Sequence, residues 1–295
     1  MGRVETHVLC SLWRDRGGAG VSEAVGLRRL LTVYRLWMRA HLIQFDISWE
    51  NRLRNFEAVE EMLGGVEVQP DDLILLPELF DSGFSLNVAV TNDANADTEG
   101  FIADLAGRLR AYVMGGRTVL PDGAARAFNQ MSVKGPRGQT LCEYAKIHPF
   151  SYGREPEAFA GGDKIVTFSW AERLCVCPAV CYDLRFPELF RRGMLRGAQV
   201  FAVGANWPDV RQAHWRALLI ARAIENQAFV LGVNRCGRDP HLSYAGGSMV
   251  IDPHGIVLGE LGAAPGVLSV EVDPREVQAW RRQFGAWRDV RLISE

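Results

Sequence analysis

The sequence predicts an α/β protein built in layers around mixed sheets, and three patterns carry that expectation. Short apolar runs rich in small or branched residues, such as 72–77 and 174–180, read as strands buried on both faces. They alternate with stretches whose apolar residues recur at helical spacing, over 49–63, 95–110 and 212–226, which lay helices against the sheets. Turn residues at 135–138 and 253–255 join neighbouring strands as hairpins, so parallel and antiparallel pairs share a sheet.

The elements follow in order from residue 38. Residues 40–45 form a short strand, and Ser48 caps a helix over 49–63 that stops at Gly64-Gly65. Strand 72–77 delivers Glu78 at its carboxyl end. Helix 95–110 leads into strands 111–114 and 128–133; the Gly135-Pro-Arg-Gly138 turn then returns the chain along 140–144 and delivers Lys146. Strand 174–180 stops at Cys181, and Tyr182 to Phe186 make a tight turn. Pro187 suits the first helical position, and Gly193 closes that short helix. Strand 199–203 precedes Asn206-Trp207-Pro208. Helix 212–226, strand 229–234, a hairpin over 248–261, strand 267–272 and a helix opened by Asp273-Pro274 complete the series. Residues 1–37 hold Arg-rich and Gly-rich pieces without a strand pattern. They read as a loosely ordered N-terminal extension, or as chain ahead of a natural start at Met38, which leaves 38–295 as the folded domain.

Composition excludes several classes of function. A net charge of −2, with no basic run interleaved with aromatics, gives no nucleic-acid partner. No apolar stretch approaches the roughly 18 residues that span a bilayer, so no membrane partner is expected. Six cysteines without a secretory signal pattern read as reduced thiols of a cytoplasmic protein. Only three of the 33 basic residues are lysine (134, 146 and 164), so a lysine in this chain invites a chemical reason.

Glu78, Lys146 and Cys181 each stand just past a strand end, where ligands of α/β sheets collect. Each has an ordinary alternative. Glu78 can cap the segment that follows, Lys146 can be a solvated base, and a lone cysteine is most often a small buried hydrophobe. The cysteines at 175, 177 and 181 form no CxxC pair and have no histidine between 148 and 214, which argues against a metal site. Together a carboxylate base, a cation and a thiol suit attack on a carbonyl carbon. The carboxylate takes the thiol proton, and the ammonium favours the thiolate and donates to the oxyanion. The backbone N–H of Tyr182 supplies the second donor. Such a site needs neither metal nor organic cofactor.

The segments Leu75-Leu-Pro-Glu-Leu-Phe80, Glu143-Tyr-Ala-Lys-Ile-His-Pro-Phe150 and Val180-Cys-Tyr-Asp-Leu-Arg-Phe-Pro-Glu188 resemble the nitrilase superfamily of carbon-nitrogen hydrolases. Ala205-Asn-Trp-Pro208, Ala221-Arg-Ala-Ile-Glu-Asn-Gln227 and Phe284-Gly-Ala-Trp287 extend the likeness over about 38–290. The resemblance implies a four-layer α-β-β-α sandwich, a Glu78-Lys146-Cys181 triad, and a second glutamate after the lysine, at Glu155 with Glu157 as the competing position. It also implies pairing into at least a homodimer. Cys-Tyr-Asp-Leu-Arg-Phe-Pro-Glu most resembles the ω-amidase and Nit-type amidase branch. Two loops depart from that branch, the proline-bearing stretch after Lys146 and Cys236 to Pro240, and both are expected to border the substrate. Arg185 suits a bidentate grip on a substrate carboxylate, the alternative being an ion pair with Glu188 or another local carboxylate. Tyr152, Asn206 and Trp207 are expected to wall the pocket, and His148 to be structural. The expected activity is hydrolysis of a small linear amide, with the ω-amide of a 2-oxo dicarboxylic acid as substrate. The alternatives are a deaminated-glutathione-type amidase, an N-carbamoyl amide hydrolase, a nitrilase, or a catalytically silent binding scaffold.

Overall fold

Alternation along the strands decides the architecture. In a computed structural model that describes residues 37–292, the strands are β1 (Met38–Gln44), β2 (Leu73–Leu75), β3 (Tyr112–Val119), β4 (Phe128–Lys134), β5 (Thr140–Ala145), β6 (Phe168–Trp170), β7 (Leu174–Val180), β8 (Val200–Ala205), β9 (Phe229–Asn234), β10 (Cys236–Arg238), β11 (Ser243–Ala245), β12 (Met249–Ile251), β13 (Val257–Glu260) and β14 (Gly266–Val272). The helices are α1 (Arg52–Leu63), α2 (Val88–Thr91), α3 (Asp97–Leu109), α4 (Pro187–Leu195), α5 (Gln212–Asn226) and α6 (Pro274–Gln283). The N-terminal extension expected at 1–37 lies, apart from Trp37, outside the described residues.

Two six-stranded sheets run β14-β1-β2-β3-β4-β5 and β13-β12-β9-β8-β7-β6, with β10 and β11 as a separate hairpin. Both sheets are mixed: a parallel trio, β1-β2-β3 in one and β7-β8-β9 in the other, is flanked by antiparallel strands. Ala40 and Leu42, Leu73 and Leu75, and Met114 turn one way into a core shared with Val176, Val180 and Ala202 of the second sheet. Ile43, Ile74 and Val113 turn the other way onto Val59 and Leu63 of α1 and Ile102 and Leu105 of α3. On the far side, Phe190 of α4 and Trp215 and Leu219 of α5 cover the second sheet. The layers are therefore helix, sheet, sheet, helix.

Several elements differ from the sequence reading. Ser48 does not cap α1; Asn51 does, its side chain accepting from the Arg54 N–H, and the helix starts three residues late. Gly193 does not close α4, which continues to Leu195. A β-carbon at 193 would stand 2.9 Å from Phe201 Cε1 and 3.1 Å from Cys177 Sγ, so this glycine lets the helix lie close on the sheet. Strand β3 extends past Met114 through Gly115-Gly116. There a β-carbon at 116 would meet the Leu79 nitrogen at 2.4 Å and Glu78 Cα at 2.9 Å. The strand is thus shaped to admit the backbone that carries Glu78. Strands β6, β10 and β11, three residues each, fall below what periodicity can register.

Candidate active site

Four ionisable groups converge between the sheets. Glu78 follows β2, Lys146 follows β5, Cys181 follows β7, and Glu155 sits in a 3-10 turn over Glu155–Glu157 after the lysine. Glu78 and Glu155 are 0% exposed, Lys146 1% and Cys181 8%, so all four meet in a medium where charge must be paired. The Lys146 ammonium donates to Glu78 Oε1 and to Glu155 Oε2, both at 2.8 Å. Asn129 of β4 braces the two carboxylates, its amide donating to Glu78 Oε1 at 2.7 Å and Glu155 Oε1 at 2.9 Å. The other Glu78 oxygen accepts the Asn206 N–H at 2.8 Å, and the Phe150 N–H donates to Glu155. Burial opposes the charge on Lys146, but Glu155 and Glu78 together outweigh it and hold the ammonium above its usual range.

Cys181 is presented by strain and by a tie beneath it. Its φ of 44° lies in the left-handed region, which a side chain with a β-carbon adopts only when its surroundings demand it. It opens a 3-10 turn over Cys181–Arg185 directly after β7, an abrupt strand-to-turn change that lifts the thiol off the end of the sheet. The Tyr182 N–H lies in the first turn, where donors have no partner within the helix. Asp183 anchors the turn, accepting from the Val180 N–H at 3.0 Å, the Tyr144 hydroxyl at 2.7 Å and the His148 N–H at 3.0 Å. His148 also bonds Asp183 through Nδ1 at 2.8 Å and stacks on Phe186 with centroids 3.7 Å apart, so it couples the lysine loop to the cysteine turn. The Cys181 thiol faces the charges of both Glu78 and Lys146. Burial, and next the Glu78 charge, push its pKa well above the ordinary thiol value; Lys146 pulls the other way. The site thus favours the neutral thiol at neutral pH.

The sulfur opens on a cavity of about 760 Å³ whose lining includes Tyr152, Tyr182, Arg185, Asn206 and Trp207. Tyr152 is 84% exposed and stands at the rim, whereas Asn206 and Trp207 are buried. Asn206 does more than wall the cavity, because its N–H and its amide group both bond Glu78. Arg185 forms no ion pair with Glu188; its Nη2 approaches His214 Nδ1 at 3.3 Å and its guanidinium lies 4.8 Å from the Trp207 ring centroid. Glu155 is the glutamate at the lysine. Glu157 is on the surface, paired with Arg154. The loops around 150–154 and 239–242 both border the cavity. Sequence reasoning missed Asn129 and Asp183. The first gives no local signal within its strand, and the second stood in a quoted motif, where an aspartate three residues after a strand end is a ready backbone acceptor.

The carbon-nitrogen hydrolase family model matches residues 39–282, and the chain belongs to that family. It is 34% identical to a 2-oxoglutaramate amidase of Bacillus subtilis, over 84% of this chain and 96% of that protein. It is 33% identical to an omega-amidase of Escherichia coli, over 85% of this chain and 96% of that protein. Among solved structures it is similar to a CN-hydrolase superfamily protein of Xanthomonas campestris with an arsenic adduct in its active site, at 32% identity and a TM-score of 0.82, covering 88% of this chain and 99% of that one. An amidase of Nesterenkonia from the nitrilase superfamily follows at 26% identity and a TM-score of 0.74, covering 86% and 98%. The α-β-β-α layering with two mixed sheets is that of the nitrilase superfamily, and the protein is a carbon-nitrogen hydrolase.

Proposed function

We propose that this protein hydrolyses the ω-amide of a 2-oxo dicarboxylic acid monoamide to the acid and ammonia through a thioester on Cys181. The observation that carries the reading is the buried meeting of Cys181 with the hydrogen-bonded pair Lys146 and Glu78, at a cavity that also presents Arg185 free of any carboxylate partner among the described residues. The amidase names of the relatives support the same class. Glu78 takes the thiol proton as sulfur attacks the amide carbon. Lys146 directs two of its three donors to Glu78 and Glu155, which leaves one for the oxyanion, and the Tyr182 N–H is the second. As the C–N bond breaks, Glu78 returns the proton to the leaving nitrogen and ammonia departs. Water then attacks the thioester, Glu78 accepts its proton, and the thiol is restored as the acid leaves. Glu155 and Asn129 position the lysine and the base. Arg185 grips the carboxylate at the other end of the substrate.

The test is ammonia release by wild type and Cys181→Ala on 2-oxosuccinamate, 2-oxoglutaramate, deaminated glutathione, N-carbamoyl amino acids and simple nitriles. Release from the 2-oxo amides that disappears in Cys181→Ala is expected. Release from another member of the panel alone moves the activity to that class, and none at all favours a binding scaffold. A cytoplasmic homodimer belongs to the same proposal. Leu195 of α4 and Ile224 of α5, 43% and 53% exposed, supply apolar surface on the outer layer. A monomeric mass by light scattering would remove the dimer.

A further inference from the structure

Among the described residues, Lys146 and three arginines reach the cavity, and they are not equivalent. Lys146 is held by Glu78 and Glu155, and Arg154 is clasped by Glu157 through bonds of 2.8 and 2.7 Å. Arg185 and Arg211 have no ion pair among the described residues, and the Arg211 guanidinium makes no hydrogen bond there either. Both are instead seated on aromatic faces. Arg185 lies 4.8 Å from the Trp207 centroid and 6.0 Å from that of Tyr182, and Arg211 lies 5.4 Å from that of Phe150. The rings are joined: Tyr182 and Phe150 are 4.9 Å apart, and the Trp207 indole N–H donates to the Arg211 carbonyl at 2.8 Å. A guanidinium over a ring face keeps its in-plane N–H groups available to an acceptor; Arg185 spends one, at Nη2, on His214 Nδ1 at 3.3 Å and keeps the others. Glu50 and Asp239 line the same cavity but are bonded to Ser85 and to His241, Leu242 and Tyr244, so the two arginines remain without a carboxylate partner there and can receive one from a ligand.

We propose that Arg211 is a second carboxylate-recognising residue, acting beside Arg185 on the anionic end of the substrate. This specificity role rests on the amidase reading for the rest of the substrate. It implies that the enzyme selects amides by a negative charge at the far end from the scissile bond, and that neutral diamides of the same length bind poorly.

The test uses the Cys181→Ala protein, which removes turnover, and calorimetric titration with two probes. Glutaramate is an ω-monoamide with a carboxylate end, and glutaramide is its neutral counterpart. The preference for glutaramate is expected to fall by about 10–100-fold when Arg211→Gln is added, the loss of charge-assisted hydrogen bonds, and to return in part with Arg211→Lys. A folding defect weakens both probes and leaves their ratio alone, so the ratio isolates the charge. An unchanged ratio in Arg211→Gln, or no preference for glutaramate before that change, overturns the assignment. Hydrolysis of 2-oxoglutaramate by wild type is read separately. If it is absent while the ratio depends on Arg211, the amidase reading fails and the anion receptor stands.

Discussion

Replacing Glu78 by Gln separates the base from its surroundings, because a carboxylate and a carboxamide have nearly the same shape. Glu78 Oε1 accepts from Lys146 at 2.8 Å and Asn129 at 2.7 Å, and Oε2 accepts from the Asn206 N–H at 2.8 Å. A glutamine oxygen turned to Lys146 and Asn129 presents its NH2 to the Asn206 N–H and leaves that buried donor unpaired, at about 1–3 kcal/mol. The lysine keeps Glu155 but loses one of two buried carboxylates, so a total near 2–4 kcal/mol and a melting point lower by roughly 5–10 °C are expected. Turnover loses proton transfer in both half-reactions and should fall by about 10³-fold or more. The sign at sulfur is opposite. The Glu78 charge is a cause, second to burial, of the raised thiol pKa, so removing it should make Cys181 easier to ionise. The thiolate absorbance is followed against pH in wild type and in the Glu78→Gln variant, each corrected by its Cys181→Ala counterpart. A midpoint that falls while turnover collapses is the expected pair. A midpoint that stays or rises, or turnover within about tenfold of wild type, would mean that Glu78 is not the base.

Two further outcomes concern stability. Gly193→Ala places a methyl group 2.9 Å from Phe201 and 3.1 Å from Cys177, and should cost about 1–3 kcal/mol in denaturant unfolding; a neutral effect would mean that α4 can shift off the sheet freely. Burial pushes the Cys142 thiol up to about 12, with the Glu143 charge adding to it, and pushes Cys177 higher still. Above the ordinary thiol value of 9.0 the unfolded chain releases protons that the folded state keeps, so stability is present below that pH and is lost as pH rises toward the folded values. Each such thiol should contribute a slope of about 1.4 kcal/mol per pH unit in urea unfolding, and Cys142→Ser should shrink the total; a flat profile above pH 9.0 would contradict this.

What local pattern dictates was legible. The apolar run of β7, the periodicity of α5 and the run of β9 gave the observed bounds, because burial on both faces or along one stripe writes itself into consecutive residues. Strand ends were therefore visible, and with them the common placement of Glu78, Lys146 and Cys181. What depends on distant chain was not. Gly115-Gly116 reads as a break in β3, yet the glycine at 116 is there for the Glu78 backbone that passes over it. Asn129 meets Glu78 and Glu155 across 51 and 26 positions of sequence, and nothing in its own strand distinguishes it. That Arg185 and Arg211 have no carboxylate partner among the described residues is likewise a property of the assembled cavity. Sequence alone left an ion pair of Arg185 with Glu188 equally open.

The proposed reaction passes through a thioester between Cys181 and the acyl part of an amide. The most direct measurement is intact-mass spectrometry of enzyme quenched in acid during turnover of 2-oxoglutaramate, followed by peptide mapping. A mass gain equal to the substrate acyl group is expected, located on Cys181, absent in Cys181→Ala and accompanied by release of ammonia before the acid. Ammonia release by Cys181→Ala, or an acyl group mapped to any other residue, would contradict it.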